Sequence, residues 1–136
     1  MEKRIGYFPR QPRFPILLDT GTELLAFRTA AECEAGLPLL ALVGDPRPVI
    51  DARSESFAFY PDLHTVAPMI VIRDRTKAEI VALYHARKRP DAPAYTRSLA
   101  SRKLADVISD IVDLLRPKRA ATRVRPSGAK PQRILE

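Results

Sequence analysis

Three sets of residues in this chain have types and spacings that could do chemistry: a series of aspartates, a cysteine with two histidines, and a C-terminal run of cations. Asp106, Asp110 and Asp113 recur at three- and four-residue steps, which puts them on one face of a helix. Such carboxylates could hold a hard cation, but one helix face encloses poorly and the sequence offers no second acidic cluster, so a solvated face is expected. Neither a metal nor a cofactor is expected. Cys33 could act as a thiolate if His64 or His85 lay beside it, yet nothing in the spacing brings either there. A packed thiol is the expectation, and His64, near Tyr60 and Asp62, reads as a loop residue. The C-terminal cations, among them Lys118, Arg119, Arg123 and Arg125, could neutralise phosphates with salt-dependent affinity. They lack the aromatic residues that stack on bases.

Composition limits what these residues can serve. A chain of 136 residues with 46% apolar content fits one domain with a modest core. The formal charge of +7 is concentrated at one end, where residues 116–136 hold seven basic groups against the single acid Glu136, and the rest is close to neutral. Cys33 is the only cysteine, so no intramolecular disulfide can form, and no zinc spacing occurs. A reducing cytoplasm suits such a chain. No run approaches the roughly 18 apolar residues of a membrane span, and the N-terminal Met1-Glu-Lys-Arg-Ile-Gly-Tyr-Phe-Pro9 lacks the apolar region of a signal peptide. A soluble cytoplasmic protein without a membrane partner is the resulting expectation.

The elements that would position these residues follow from pattern. Residues 1–13, with Pro9, Pro12, Arg10 and Arg13, read as an extended arm that Tyr7, Phe8 and Phe14 pin to the body. The runs at Phe14–Asp19 and Glu23–Phe27 flank Thr20-Gly21-Thr22 and predict a hairpin. Thr29-Ala-Ala-Glu32 has capping-box spacing for a short helix to about Ala35, with Gly36 suited to a left-handed C-terminal position. Leu39–Val43 is either a strand or the end of that helical region. A second hairpin joins Val49–Ala52 to Ser56–Tyr60, and the β-branched run Met69–Arg73 predicts a buried strand.

Thr76-Lys-Ala-Glu79 opens a helix to about Lys88 with Ile80, Leu83 and Tyr84 inward, and Ser98–Arg116 predicts a longer one. At about 100° per residue, Leu104, Val107, Ile108, Ile111, Val112, Leu114 and Leu115 span an arc of about 160°. Asp110 and Asp113 lie near its partially negative end, where Lys118 and Arg119 are close enough in sequence to be their basic partners. The sum is an α+β domain over residues 14–116: an antiparallel sheet of about five strands, covered on one face by two C-terminal helices, with one short helix inserted early. Residues 117–136 form a basic tail whose composition predicts disorder.

Two resemblances bear on function. Leu17-Leu18-Asp19-Thr20-Gly21-Thr22 resembles the active-site motif of aspartic proteases, which implies a dimer placing Asp19 beside its symmetry mate so that two carboxylates share a proton. Turn preference gives the same residues a plainer role, the bend of the first hairpin. The segment from Leu24-Leu25 through Phe27, Thr29, Glu32, Glu34 and Leu37, then Val43-Gly44 and Ile50-Asp-Ala-Arg-Ser-Glu-Ser-Phe57, resembles small bacterial immunity-type proteins encoded beside secreted toxins. That resemblance implies a non-catalytic protein that neutralises a toxin by binding it. The surfaces this reading offers are Arg10 and Arg13, the aspartates 106, 110 and 113, and Lys118, Arg119, Arg123 and Arg125. Non-specific nucleic-acid association through the tail is the alternative, and an Asp19-dependent protease the third.

Overall fold

A computed structural model describes residues 5–69 and 73–115. Six strands form one sheet, β1 (Gly6–Tyr7), β2 (Ile16–Asp19), β3 (Leu24–Phe27), β4 (Arg47–Ile50), β5 (Ser56–Tyr60) and β6 (Thr65–Pro68), in the order β1-β6-β5-β4-β2-β3. Every neighbouring pair is antiparallel except β1 with β6. Three α-helices complete the fold, α1 (Ala30–Gly36), α2 (Lys77–Arg87) and α3 (Leu104–Leu115). The α+β class, both hairpins, the early helix and the two late helices stand as expected.

The sheet is buried on both faces, not one. Side chains alternate along a strand, so β2 sends Ile16 and Leu18 to one side and Leu17 to the other. Ile16 and Leu18 join Phe27, Val49, Phe57, Phe59 and Val66 under Cys33 of α1, Leu37 and Ile5. Leu17, Leu24 and Ile50 meet Ile80 and Tyr84 of α2 and Val107, Ile108, Ile111 and Val112 of α3. Continuous rather than alternating apolarity in Ile16-Leu-Leu18 is what burial on two faces demands.

Three local expectations need correction. Part of the N-terminal arm is a strand, since Gly6 pairs with Thr65 and Tyr7 with Val66. The described strand β6 precedes the run Met69–Arg73, and residues 70–72 of that expected strand lie outside the described residues. Pro68 can end β6 because Phe57 faces it while the Met69 N–H bonds Ser56 O at 2.9 Å, so the ladder with β5 never uses the N–H that proline lacks. Gly36 is not left-handed; a Cβ there would meet Phe27 Cε1 at 3.0 Å, so close approach requires the glycine, and the left-handed residue is Ala41 at φ 51°.

The longest predicted helix is also interrupted. Leu99–Ser101 forms a 3-10 turn, Arg102 is extended, and α3 starts only at Leu104. Lys77 Nζ of α2 explains the break by donating to Leu99 O at 2.6 Å and Arg102 O at 2.8 Å, so the carbonyls of this turn face an ammonium group. Arg116 lies outside the described residues, as does the tail.

Candidate functional site

The three helix-face aspartates lie on α3, and two are engaged by cations that the sequence did not nominate. Asp110 accepts Tyr95 Oη–H on Oδ2 at 2.8 Å and Arg102 Nη2–H on Oδ1 at 2.9 Å. Arg102 Nε lies 2.8 Å from Oδ2 as a charge contact without the alignment of a hydrogen bond, and Arg97 Nε stands 3.8 Å away. Asp113 pairs with Arg28, which leaves the end of β3. The helix-dipole penalty inferred for Asp110 and Asp113 is therefore offset by Arg28, Arg97 and Arg102. The proposed partners Lys118 and Arg119, like Arg123 and Arg125, lie outside the described residues. Asp106 is exposed on the same helix.

Arg10 and Arg13 belong to a second cluster, against the β4–β5 turn. Arg10 pairs with Glu55 and lies 5.2 Å from the centroid of the Phe57 ring. Arg13 Nη1 stands 3.9 Å from Asp51 and 3.8 Å from Glu55, while its backbone N–H donates to Asp51 Oδ2 at 3.3 Å. Asp51 is fully buried and also accepts the N–H groups of Arg53 and Glu55 at 2.8 and 2.9 Å. A buried carboxylate ringed by backbone donors organises a turn, and here it also ties down the N-terminal arm.

Asp19 closes the first hairpin. It accepts Gly21 N–H at 2.8 Å, with Gly21 at φ 101°, and it takes Arg87 Nε–H at 2.8 Å and Nη2–H at 3.3 Å from the end of α2. That fork ties hairpin to helix, and it occupies the carboxylate that the protease motif would need to share with a second copy.

Cys33 is fully buried in the α1-side core. Burial pushes its thiol up to about 11, with Glu34 adding and Tyr7 opposing, so little thiolate exists near neutral pH. His64 takes a left-handed φ of 49° and meets Phe59 edge-on at 6.0 Å. His85 accepts the Tyr95 backbone N–H on Nε2 at 2.9 Å. Among the described residues, no group of three or more His, Cys, Asp or Glu could hold a metal ion.

Sequence reasoning missed one surface. Leu39 is 83% exposed and Val43 74%, with Leu40 also exposed, although the run Leu39–Val43 reads as an apolar element. Leu37–Leu40 is a 3-10 turn after α1, Leu42 packs into the α1-side core, and Arg47 donates to Asp45 O and, at 3.2 Å, to Val43 O. The loop is thus anchored from inside while its outer leucines and valine face water. Pro38 and Gly44, which bound the run on either side, were the sequence signals that it sits in a loop.

No helix among the described residues is long and apolar enough to cross a membrane. No protein-family model matches the chain, and neither does any curated protein. A solved structure is similar: the NMR structure of a protein from Shewanella amazonensis aligns with a TM-score of 0.60 at 19% identity, covering 86% of this chain and all of that one. At that identity the likeness concerns the fold alone.

Proposed function

We propose that this chain is a non-catalytic, cytoplasmic protein-binding module, and that its specific form is an immunity protein neutralising a toxin. The observation that carries the binding reading is the Leu39–Val43 loop, where Leu39 and Val43 are 83% and 74% exposed on a backbone held by Arg47. Large apolar side chains grouped on an anchored loop suit a partner's apolar cleft, because their burial contributes about 25 cal/mol per Å2 with little ordering cost. The engagement of Arg10, Arg13, Asp110 and Asp113 in internal pairs favours this loop over the charged faces as the primary contact. The toxin reading rests on the sequence resemblance over residues 24–57.

Co-expression with the product of the adjacent gene tests both levels. The expected result is one co-eluting complex and relief of growth arrest. Leu39→Ser with Val43→Ser should weaken the complex at least tenfold while leaving the circular dichroism spectrum unchanged. A complex indifferent to the double variant removes the loop from the interface, and absence of both complex and relief removes the immunity reading.

A further inference from the structure

Between α2 and α3, residues 92–95 are pinned across the helix pair at four points. Tyr84 Oη–H donates to Pro93 O at 2.6 Å, Lys88 Nζ to Ala92 O at 3.2 Å, and Tyr95 Oη–H to Asp110 at 2.8 Å. The fourth pin differs in kind, because the Tyr95 backbone N–H donates to His85 Nε2 at 2.9 Å. That bond exists only while Nε2 keeps its lone pair, which fixes the neutral ring as the Nδ1–H tautomer. Protonation at Nε2 sets two N–H donors against each other. The segment is also a wall between two hollows: one of about 300 Å3 beside Leu24, Arg87 and Leu115, the other of about 330 Å3 beside Tyr95, Arg97 and Asp110. Pro93 and Leu114 line both.

We propose that residues 91–96 form a pH-sensitive strap, latched by neutral His85 and loosened at Tyr95 when His85 takes up a proton. The other pins do not release with it, since the Tyr84 and Lys88 bonds end on carbonyls and Tyr95 keeps its phenol on Asp110. The change is therefore a local swing of the backbone around Ala94–Thr96 that opens the wall between the hollows.

His85 is exposed on α2, beside the Tyr84 ring at 5.7 Å between centroids. Arg87 stands on the same helix and is paired with Asp19, Lys88 and Arg89 lie just beyond the helix end, and Asp91 lies in the strap itself. From α3, Asp110 reaches the same tyrosine and is already matched by Arg97 and Arg102.

Amide exchange and imidazole nitrogen shifts of the full chain test the strap. At pH 8 the expected tautomer carries its proton on Nδ1. Between pH 8 and pH 5 the protection of the Tyr95 amide, corrected for intrinsic exchange, should fall at least tenfold, while amides of β2 and β5 stay protected. His85→Gln supplies an acceptor that does not titrate, and its Tyr95 protection should be the same at both pH values. An Nε2–H tautomer at pH 8, unchanged Tyr95 protection in the wild type, or an equal loss in His85→Gln would each overturn the proposal.

Discussion

Glu79 shows how much one side chain does at a helix start. Its carboxylate accepts Arg73 Nη1–H and the Thr76 backbone N–H, both at 2.9 Å, while Thr76 Oγ1 accepts the Glu79 N–H at 3.2 Å, which completes a capping box. Arg73 first, and then the Thr76 N–H, hold the carboxyl at about 2, well below its ordinary 4.5. Because the folded value is the lower one, the native state binds fewer protons here. The contribution is complete above 4.5 and lost as pH falls towards 2. A carboxyl-carbon NMR titration should place the Glu79 midpoint near 2, and Glu79→Gln should flatten the dependence of stability on pH across that window. A Glu79 midpoint above 4 would contradict the cap geometry.

At the scale of elements, the β4–β5 hairpin depends on Asp51 more than on any turn preference. Ser54 occupies the left-handed region at φ 67°, fully buried, with its hydroxyl on Arg75 O at 2.6 Å, so the turn is closed from the α2 side as well. Asp51→Ala removes the acceptor for three backbone N–H groups and should cost about 3 kcal/mol in urea denaturation. Asp51→Asn keeps one oxygen for Arg53 and Glu55 and should cost about 1 kcal/mol. Equal losses in the two variants would mean that the charge and not the acceptor geometry holds the turn. Spacing located this hairpin and both capping threonines, Thr29 and Thr76, because caps and turns are settled within four or five residues of chain. It placed the start of α3 too early, because Lys77 comes from another helix and takes the Leu99 and Arg102 carbonyls.

At the scale of the molecule, one sheet divides two cores, and among the described residues the two together run from Ile5 to Leu115. The cations of residues 117–136 stand outside that frame in sequence. Their composition predicts no packed contact, so a chain truncated after Arg116 should melt at the same temperature as the full chain. Nucleic-acid association through the tail, the alternative function, requires binding that weakens steeply with salt and disappears on this truncation. Binding that survives it would have to reside in residues 1–116.

By itself, the sequence determined what short-range physics determines: two hairpins, three helical segments, the apolar arc of α3 and the acid face opposite it. The tertiary structure alone decided what those faces meet. Asp110 and Asp113 meet Arg102, Arg97 and Arg28, since ion pairing depends on distance in space and the fold brings the end of β3 to α3. It likewise turned Leu39 and Val43 outward, although their apolarity predicts an element. Hydrophobic periodicity states how much surface wants covering, and only the packed chain shows which surface its own core leaves uncovered.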